Sequence, residues 1–251
     1  MSRGYQYGYS DIEFEMHDVD SRQKKASTMV AVLNDYINGP LDGLSVLNVG
    51  GSTGIIDNYL SEYFLSVIGV DIDEKAINSA RDNFSKDNLS FDIGDAMELP
   101  YEDETFDIVI SSHIYEHVPD TGKMMAEIYR VLKDDGVCYF AGSNRIMWDE
   151  PHYHLPLLSV VPVFMSHMYL RAFRNVDYYY ERHLTYWGLK KMVKDFKVID
   201  YTEKIILNPT KYETEYMIKP GSLKAKLASW LTKYVMWLSP GYIWLLKKPD
   251  L

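Results

Sequence analysis

The stretch Val46-Leu47-Asn48-Val49-Gly50-Gly51-Ser52-Thr53-Gly54 decides the fold of this chain. Its first half is a short, mostly apolar run typical of a buried β-strand. The glycines that follow let the backbone turn sharply and pass close to a ligand without a Cβ in the way. In open α/β sheets, ligands bind beyond the carboxyl ends of the strands, near the point where the strand order reverses. The stretch therefore predicts a first strand that ends in a ligand-binding loop.

Short apolar runs alternate with amphipathic stretches from residue 44 to residue 142. Such alternation is typical of βαβ units, whose parallel strands are covered by helices on both faces. The predicted strands are Leu44–Val49, Ser66–Asp71, Leu89–Ile93, Phe106–Ser111 and Val137–Gly142. The predicted helices are Ile55–Phe64, Glu74–Ser85 and Thr121–Leu132, the last capped by Asp120. The sequence therefore predicts an α/β fold.

Further regions flank this alternating core. We expect a helix over residues 20–38 and an aromatic, proline-punctuated, irregular insertion or lid over 143–183. The last part of the chain predicts two helices and two strands. In chain order these are a helix over Thr185–Phe196, a strand over Lys197–Lys204, a helix over Ser222–Leu238 and a strand over Tyr242–Lys247.

Composition narrows the class of protein. The 251 residues carry a net charge of −10, which disfavours a general nucleic-acid-binding role. A single cysteine, Cys138, excludes an intramolecular disulfide and a multi-cysteine zinc site. The amino-terminal residues contain no apolar signal core, and the longest uncharged run, Leu155–Leu170, is too short to span a bilayer comfortably. A cytoplasmic protein is the default expectation.

Two familiar cofactor motifs fail at the glycine loop. The dinucleotide fingerprint G-x-G-x-x-G, counted from Gly50, meets Ser52 and Ile55 at its later positions. A phosphate-binding P-loop would need Gly-Lys-Ser/Thr after the loop, and the chain has none there. A nicotinamide-dependent dehydrogenase is therefore disfavoured.

The next two predicted strands end in carboxylates. Asp71 closes the second strand, where a carboxylate can accept hydrogen bonds from both hydroxyls of a ribose. Asp95 follows the third strand and could accept from an exocyclic amine, while the backbone N–H of Ala96 faces a ring nitrogen. Three consecutive strand ends thus offer a glycine loop, a ribose-binding acid and an adenine-binding edge.

In these features the chain resembles the class I S-adenosylmethionine-dependent methyltransferases over roughly residues 44–142. The matching segments are Val46–Gly54, Gly69-Val70-Asp71, Gly94-Asp95-Ala96, Leu99-Pro100-Tyr101 with Thr105-Phe106-Asp107, Ser111-Ser112-His113, and Tyr129–Lys133 with Gly136. The resemblance implies a Rossmann-like three-layer sandwich with a seven-stranded, mostly parallel sheet and an antiparallel last strand. It also implies S-adenosylmethionine as cofactor.

The resemblance further implies which residues bind the cofactor. Gly50, Gly51 and Gly54 would pass close to its methionyl part, Asp71 would bind the ribose, and Asp95 with Ala96 would bind the adenine. The full expected set also includes Asn48, Thr53, Ile72, Met97 and Ser112. The family usually has an acid where Asn48 stands and glycine where Ser52 stands. These departures leave open a degenerate fold that only binds cofactor or serves as a membrane-associated scaffold.

Histidines are the candidate catalytic residues, because imidazole is a suitable general base near neutral pH. His113 follows the fourth strand, and His152 and His154 lie in the insertion beside Glu150. Loop packing is an equally open role for all three, and a His-x-His with one acid is too weak a signal to predict a metal site. Tyr5, Tyr7 and Tyr9 could fold over the cofactor, or be ordinary core or surface tyrosines.

Residues 219–248 contain six lysines and no acids. Within the predicted helix, Leu223, Leu227, Leu231, Tyr234 and Leu238 recur every three or four residues, with Trp230, Trp237 and Trp244 nearby. Such a segment can lie in a bilayer interface, and 222–248 is therefore a candidate for peripheral membrane contact. Packing of the helix on the sheet, with its lysines in solvent, is the alternative.

We therefore expect one methyltransferase domain over residues 1–251. Its parts would be an N-terminal cap (1–40), a cofactor-binding core (44–142), a lid (143–183) and C-terminal sheet and helices (184–251). The expected activity is methylation of a small or lipid-linked acceptor, with oxygen favoured over nitrogen as the methylated atom.

Overall fold

The structure, a computed structural model, describes residues 7–11 and 14–249. The strands are β1 (Ser45–Val49), β2 (Ser66–Asp71), β3 (Leu89–Ile93), β4 (Phe106–Ser112), β5 (Leu132–Ser143), β6 (Asp149–Glu150), β7 (Leu155–Pro156), β8 (Lys197–Asp200) and β9 (Gly241–Lys247). The α-helices are α1 (Val19–Ile37), α2 (Ile55–Leu60), α3 (Glu74–Asn83), α4 (Thr121–Val131), α5 (Val163–Arg174), α6 (Tyr186–Met192), α7 (Thr202–Leu207) and α8 (Leu223–Tyr234). Short 3-10 helices cover Tyr9–Asp11, Phe14–His17 and Met236–Leu238.

Seven strands form one sheet in the order β3-β2-β1-β4-β5-β9-β8. The pairs from β3 to β5 are parallel, and β9 runs antiparallel to both of its neighbours. The strand order reverses between β1 and β4, which places the expected ligand crevice at the carboxyl ends of these two strands. The predicted three-layer sandwich with an antiparallel last strand is confirmed.

Alternate side chains of the strands enter two separate cores, because successive residues of a strand point to opposite faces. Leu47 and Val49 belong to the core beneath α4 and α6, whereas Val46 belongs to the core beneath α1, α2 and α7. All three are essentially inaccessible to solvent. Both faces of the sheet are thus covered, as expected for a parallel sheet.

Aspartates begin the helices that follow the strands. Asp120 accepts hydrogen bonds from the backbone N–H groups of Gly122 and Lys123, which confirms its predicted role as the cap of α4. Asp73 caps α3 in the same way, through Lys75 and Ala76. These caps fix where each chain segment turns away from the sheet, and so position the loops at its carboxyl edge.

The strand predicted over Lys197–Lys204 is wrong beyond Asp200. The Asp200 side chain accepts a hydrogen bond of 2.8 Å from the backbone N–H of Thr202, a local turn that ends β8 and begins α7. Similarly, the helix predicted over Ile55–Phe64 ends at Leu60, where the Ser61 hydroxyl bonds to the carbonyl of Asn58. In both cases a short polar side chain competes with the regular backbone pattern.

The segment 143–183 is more regular than predicted. It contains the β6–β7 hairpin and the 12-residue helix α5. A small core of its own, formed by Leu155, Leu158, Leu170 and Tyr179, packs inside it. Helix α5 escaped prediction because its outer face is apolar and exposed, so that it lacks the usual polar stripe: Phe164, Met168 and Phe173 are each about two-thirds exposed.

Candidate active site

A cleft opens at the carboxyl edge of the sheet, where β1 to β4 end. Of the residues expected to bind cofactor, it is lined by Gly50, Asp71, Ile72, Asp95, Ala96 and Ser112. The other expected residues, Asn48, Gly51, Thr53, Gly54 and Met97, do not line it. They lie behind it and support the loop or the neighbouring turn.

The glycine loop is held close to β2. The backbone N–H groups of Gly50 and Gly51 both donate to the carbonyl of Val70, at 2.7 and 3.1 Å. Gly50 has a φ of +80°, and a Cβ there would overlap the side chain of Ile114. Gly54 has a φ of +75°, and a Cβ there would lie 2.6 Å from Phe91 and 2.7 Å from Ala80. Both positions therefore require glycine, one for the cleft floor and one for packing beneath it.

A buried carboxyl group lies under this loop. Asp57, on α2, is fully buried and accepts a 2.7 Å hydrogen bond from the amide of Asn48. Burial raises its pKa to about 7, although the Asn48 hydrogen bond and the charge of Arg22 act in the opposite direction. Its Oδ2 lies where a Cβ on Gly51 or Gly69 would have to go. The amide of Asn48 is thus paired with an acid on the following helix.

Asp71 is fixed by two backbone donors. Its Oδ2 accepts from the N–H of Ser52 and its Oδ1 from the N–H of Asp73, both at 2.9 Å. Burial raises the pKa of Asp71, and these N–H donors act against that rise. One carboxylate oxygen therefore ties the glycine loop to β2, and each oxygen keeps a lone pair for a ligand. Asp95 is held in a tight turn, its Oδ1 2.9 Å from the N–H of Met97.

The N-terminal segment closes one side of the cleft, which residue spacing did not predict. Ser10 donates from both its backbone N–H and its hydroxyl to Asp73, at 2.9 and 2.7 Å. Thr53 donates to the carbonyl of Met16 at 2.7 Å, so the segment is anchored to the loop. Two cations, Arg22 and Lys25 on α1, also line the cleft. Their spacing of three on one helix face was the sequence signal that could have found them.

The N-terminal tyrosines lie in different places. Tyr9 lines the cleft, with its ring centroid 4.7 Å from that of His117. Tyr7 is 60% exposed. Tyr5 lies outside the described residues.

His113 lines the cleft and has a buried acid behind it. Its Nδ1 lies 3.3 Å from the Ser143 hydroxyl and 3.5 Å from Oε1 of Glu116, whose side chain is 1% exposed. Burial alone would raise the pKa of Glu116, but the hydrogen bond to His113 and the neighbouring imidazoles lower it to about 2. His113 also has a φ of +57°, an uncommon backbone conformation for a residue other than glycine. The carboxylate thus orients the ring.

The structure separates the two histidines of the insertion. His152 packs edge-on against His117, at 5.0 Å between ring centroids, and its Nδ1 lies 2.6 Å from Oε1 of the buried Glu150. The side chain of His154 is 64% exposed and contacts Asp149. His152 therefore lies one side chain behind the cleft wall, and His154 lies at the surface outside the cleft lining.

A second, mainly apolar cavity of about 490 Å³ adjoins the cleft. The two share Lys25, Ser112 and His113. Its remaining lining comes mainly from α1, β5, α7, the segment 208–222, α8 and β9, and includes Met29, Tyr139, Ile205, Ile206, Met217, Ala228, Leu231 and Ile243. A ligand in this cavity would reach His113, which also lines the cleft.

Helix α8 has two apolar faces. Ala228 and Leu231 line the second cavity. Leu223, Leu227, Trp230 and Tyr234, spaced i, i+4, i+7 and i+11, are instead between 53 and 83% exposed. The outer face of α8 is therefore not covered by the rest of the described chain. Across the residues that the structure covers, no helix combines the length and apolar character needed to cross a bilayer.

Residues 47–140 match the protein family described as a methyltransferase domain. A ubiquinone biosynthesis O-methyltransferase of Rhizobium etli is 34% identical over 110 residues, covering 43% of this chain and 44% of that protein. A demethylmenaquinone methyltransferase of Lactococcus lactis is 28% identical over 218 residues, covering 84% of this chain and 78% of that protein.

A solved structure agrees with the fold. The PH0226 protein of Pyrococcus horikoshii OT3 aligns over 98% of this chain and 100% of its own, with a TM-score of 0.65 and 20% identity. The match to the Rhizobium etli enzyme spans less than half of that relative's length. The matched domain includes β1 with its loop, Asp71 and Asp95, the residues that form the cleft. Residues 47–140 are therefore identified as a methyltransferase domain.

Proposed function

We propose that this protein transfers a methyl group from S-adenosylmethionine to a hydroxyl of a small or lipid-linked, mainly apolar acceptor. The observation that carries the proposal is the junction of the cleft and the apolar cavity at Ser112 and His113. A cofactor in the cleft and an acceptor in the cavity would meet beside an imidazole. Positioning of this kind supplies most of the catalysis in a direct methyl displacement.

The residues present fit the cofactor. Gly50 lines the cleft, Asp71 suits the ribose hydroxyls, and Asp95 with the Ala96 N–H suits the adenine edge. The cationic side chains of Arg22 and Lys25 suit the methionyl carboxylate. When bound, the cofactor supplies an electrophilic methyl group on a sulfonium.

The lipid-linked character of the acceptor is supported by the cavity and by the relatives. Two relatives are named for ubiquinone biosynthesis and for demethylmenaquinone, which are quinones with long apolar chains. The cavity is walled by aliphatic and aromatic side chains, with few polar groups. Such a lining favours an apolar ring or chain over a sugar or a nucleotide.

His113 is the proposed general base. Its Nδ1 faces Ser143 and Glu116, which leaves Nε2 to take the proton of the acceptor hydroxyl. His113 would hold the proton of the acceptor while the bound cofactor supplied the methyl group to the acceptor oxygen, and would then pass that proton to solvent. Glu116 is a positioning residue, because it favours the tautomer with the proton on Nδ1 and stabilises the imidazolium.

The direct test uses the full chain, S-adenosylmethionine and phenolic acceptors with and without an isoprenoid tail. We expect S-adenosylhomocysteine and a methyl ether in equal amounts, with a lower KM for the tailed acceptor. Failure to bind S-adenosylhomocysteine in calorimetry would overturn the enzyme assignment and favour the scaffold alternative. Cofactor binding with product on nitrogen or carbon alone would overturn the assignment of oxygen.

Asp71→Ala is expected to weaken binding of S-adenosylhomocysteine by about 1–3 kcal/mol, because charge-assisted hydrogen bonds to the ribose are lost. Calorimetry measures the change. The matched control is Asp92→Ala, because Asp92 lies on the neighbouring strand, bonds to the Tyr101 hydroxyl and does not line the cleft. A 2′-deoxy analogue should bind wild type more weakly but show little further loss with Asp71→Ala. Unchanged affinity in Asp71→Ala would mean that the ribose lies elsewhere.

We also propose that the outer face of α8 lies on an anionic membrane surface. Its exposed leucines and Trp230 are flanked by Lys224, Lys226 and Lys233, and residues 219–248 contain no acid. Apolar and cationic groups together match the interface of a bilayer that carries negative charge. Because the inner face of the same helix lines the apolar cavity, a lipid-linked acceptor would have a short path from bilayer to site.

Leu227→Glu is expected to reduce binding to vesicles containing phosphatidylglycerol about ten-fold, since it places a carboxylate where an apolar side chain enters the lipid. Sedimentation with the vesicles measures this. Leu65→Glu is the matched control, because Leu65 is exposed to nearly the same extent, 58% against 57%, but lies beside the amino end of β2. Equal binding by the two variants, or no binding by wild type, would contradict the membrane proposal. Added salt should weaken wild-type binding.

A further inference from the structure

Three ligand-type side chains meet behind the cleft wall, in a place that methyl transfer does not use. Glu150 and His152 lie on the β6–β7 hairpin, and His183 lies just before α6. The Oε1 of Glu150 is 2.6 Å from Nδ1 of His152 and 3.3 Å from Nε2 of His183. The side chains of Glu150 and His183 are 0% exposed and that of His152 is 14% exposed.

The carboxylate is oriented before any ligand binds. The Oε2 of Glu150 accepts from the backbone N–H groups of His152 and Tyr153, at 3.0 and 2.9 Å. This leaves Oε1 directed at the two imidazoles. In metal sites, hydrogen bonds of this kind fix the ligating carboxylate and set its direction.

The two ring nitrogens of His183 have different surroundings. Nε2 faces Oε1 of Glu150, whereas the buried Nδ1 has no hydrogen-bond partner within the described part of the chain. An ion bound at Nε2 would leave Nδ1 to a water, the usual partner of a buried polar atom that has none in the protein. Glu116 and Glu181 are also buried nearby, so the region concentrates carboxylates away from solvent. A divalent cation would offset that buried negative charge.

We propose that Glu150, His152 and His183 bind a divalent first-row transition-metal ion, with Zn²⁺ as the best match to two imidazoles and one carboxylate. Tetrahedral coordination with bonds of about 2.0–2.1 Å places neighbouring ligand atoms roughly 3.3 Å apart. The ligand atoms here already lie within 4.8 Å of one another. The short Glu150–His152 contact would have to open by less than about 1 Å to reach that spacing.

The ion would act as a structural clamp. It joins the hairpin to the segment that leads into α6, and His152 packs on His117, which lines the cleft. The metal would therefore hold the insertion against the cleft wall. This role is independent of the proposed methyl transfer.

The test uses the full chain without a histidine tag, stripped with a chelator and exchanged into metal-free buffer. We expect calorimetry with Zn²⁺ to give one ion per chain, and Co²⁺ to give the visible absorption of a low-symmetry site. Glu150→Gln and His183→Gln should each weaken Zn²⁺ binding at least 100-fold. His154→Ala is the matched control: it removes an exposed imidazole from the same segment and should bind as wild type does.

Thermal unfolding gives a second readout, because a ligand that binds only the folded state raises the melting temperature. Zn²⁺ should raise it for wild type and His154→Ala but not for His183→Gln. No Zn²⁺ binding by wild type would overturn the proposal, and so would wild-type affinity for Zn²⁺ in Glu150→Gln and His183→Gln. In the first case the cluster would be a hydrogen-bonded histidine–carboxylate pair. Calorimetry of S-adenosylhomocysteine on the same stripped protein tests the proposed function separately.

Discussion

His113→Ala is expected to lower kcat for methyl transfer about 100- to 1000-fold while leaving the affinity for S-adenosylhomocysteine nearly unchanged. The expectation follows from loss of a general base, which contributes factors of this order. The backbone cost should not change, because histidine and alanine both carry a Cβ at the φ of +57°. Single-turnover rates with a phenolic acceptor measure the effect.

A rescue experiment separates catalysis from structure. Added imidazole should restore part of the activity of His113→Ala. Glu116→Gln should show a smaller fall in kcat than His113→Ala, because the imidazole remains and loses only the carboxylate that orients it and stabilises its protonated form. A His113→Ala enzyme with wild-type kcat would contradict the assignment.

Gly54→Ala is expected to lower the free energy of unfolding by about 2–5 kcal/mol. A non-glycine residue in left-handed backbone conformation costs about 1–2 kcal/mol, and overpacking of a core costs about 1–3 kcal/mol. Both apply here, because φ is +75° and the new Cβ would lie 2.6 Å from Phe91. Urea unfolding followed by circular dichroism measures the change.

Gly221→Ala measures the backbone component alone, so that the difference between the two variants gives the packing component. Gly221 also has a positive φ, of +71°, but a Cβ there would meet nothing within 4 Å. Its substitution should cost only the backbone component, about 1–2 kcal/mol. Equal losses in the two variants would mean that contact with Phe91 and Ala80 is relieved by small shifts, and that packing beneath the loop is less restrictive than the structure indicates.

The sequence predicted the sheet well because each central strand is a short apolar run between local stop signals. Ser66–Asp71 and Leu89–Ile93 have the predicted bounds. Local patterns failed where a single side chain redirects the backbone, as Asp200 does at the end of β8. They also failed at α5, whose exposed apolar face gives no amphipathic signal. Prediction was thus strongest where burial and periodicity agree.

Prediction of the site residues from the sequence was limited in a similar way. Asp71, Asp95 and the glycine loop could be placed from spacing and resemblance, because each lies at a strand end. Arg22 reaches the cleft from α1, whose position depends on packing across the whole chain. Asp57 lies beneath the loop and accepts a hydrogen bond from Asn48. This pairing depends on how α2 packs against β1, which residue spacing alone does not give.

The position of β9 affects how the molecule is made. Although it comes last of the described strands in chain order, it lies between β5 and β8 and bonds to both. A growing polypeptide therefore carries an open groove in the sheet until residues 241–247 have left the ribosome. Until then β5 presents an unpaired, apolar edge, the kind of surface that draws neighbouring chains into aggregates. This edge of β5 is therefore protected against self-association only once residues 241–247 have been made.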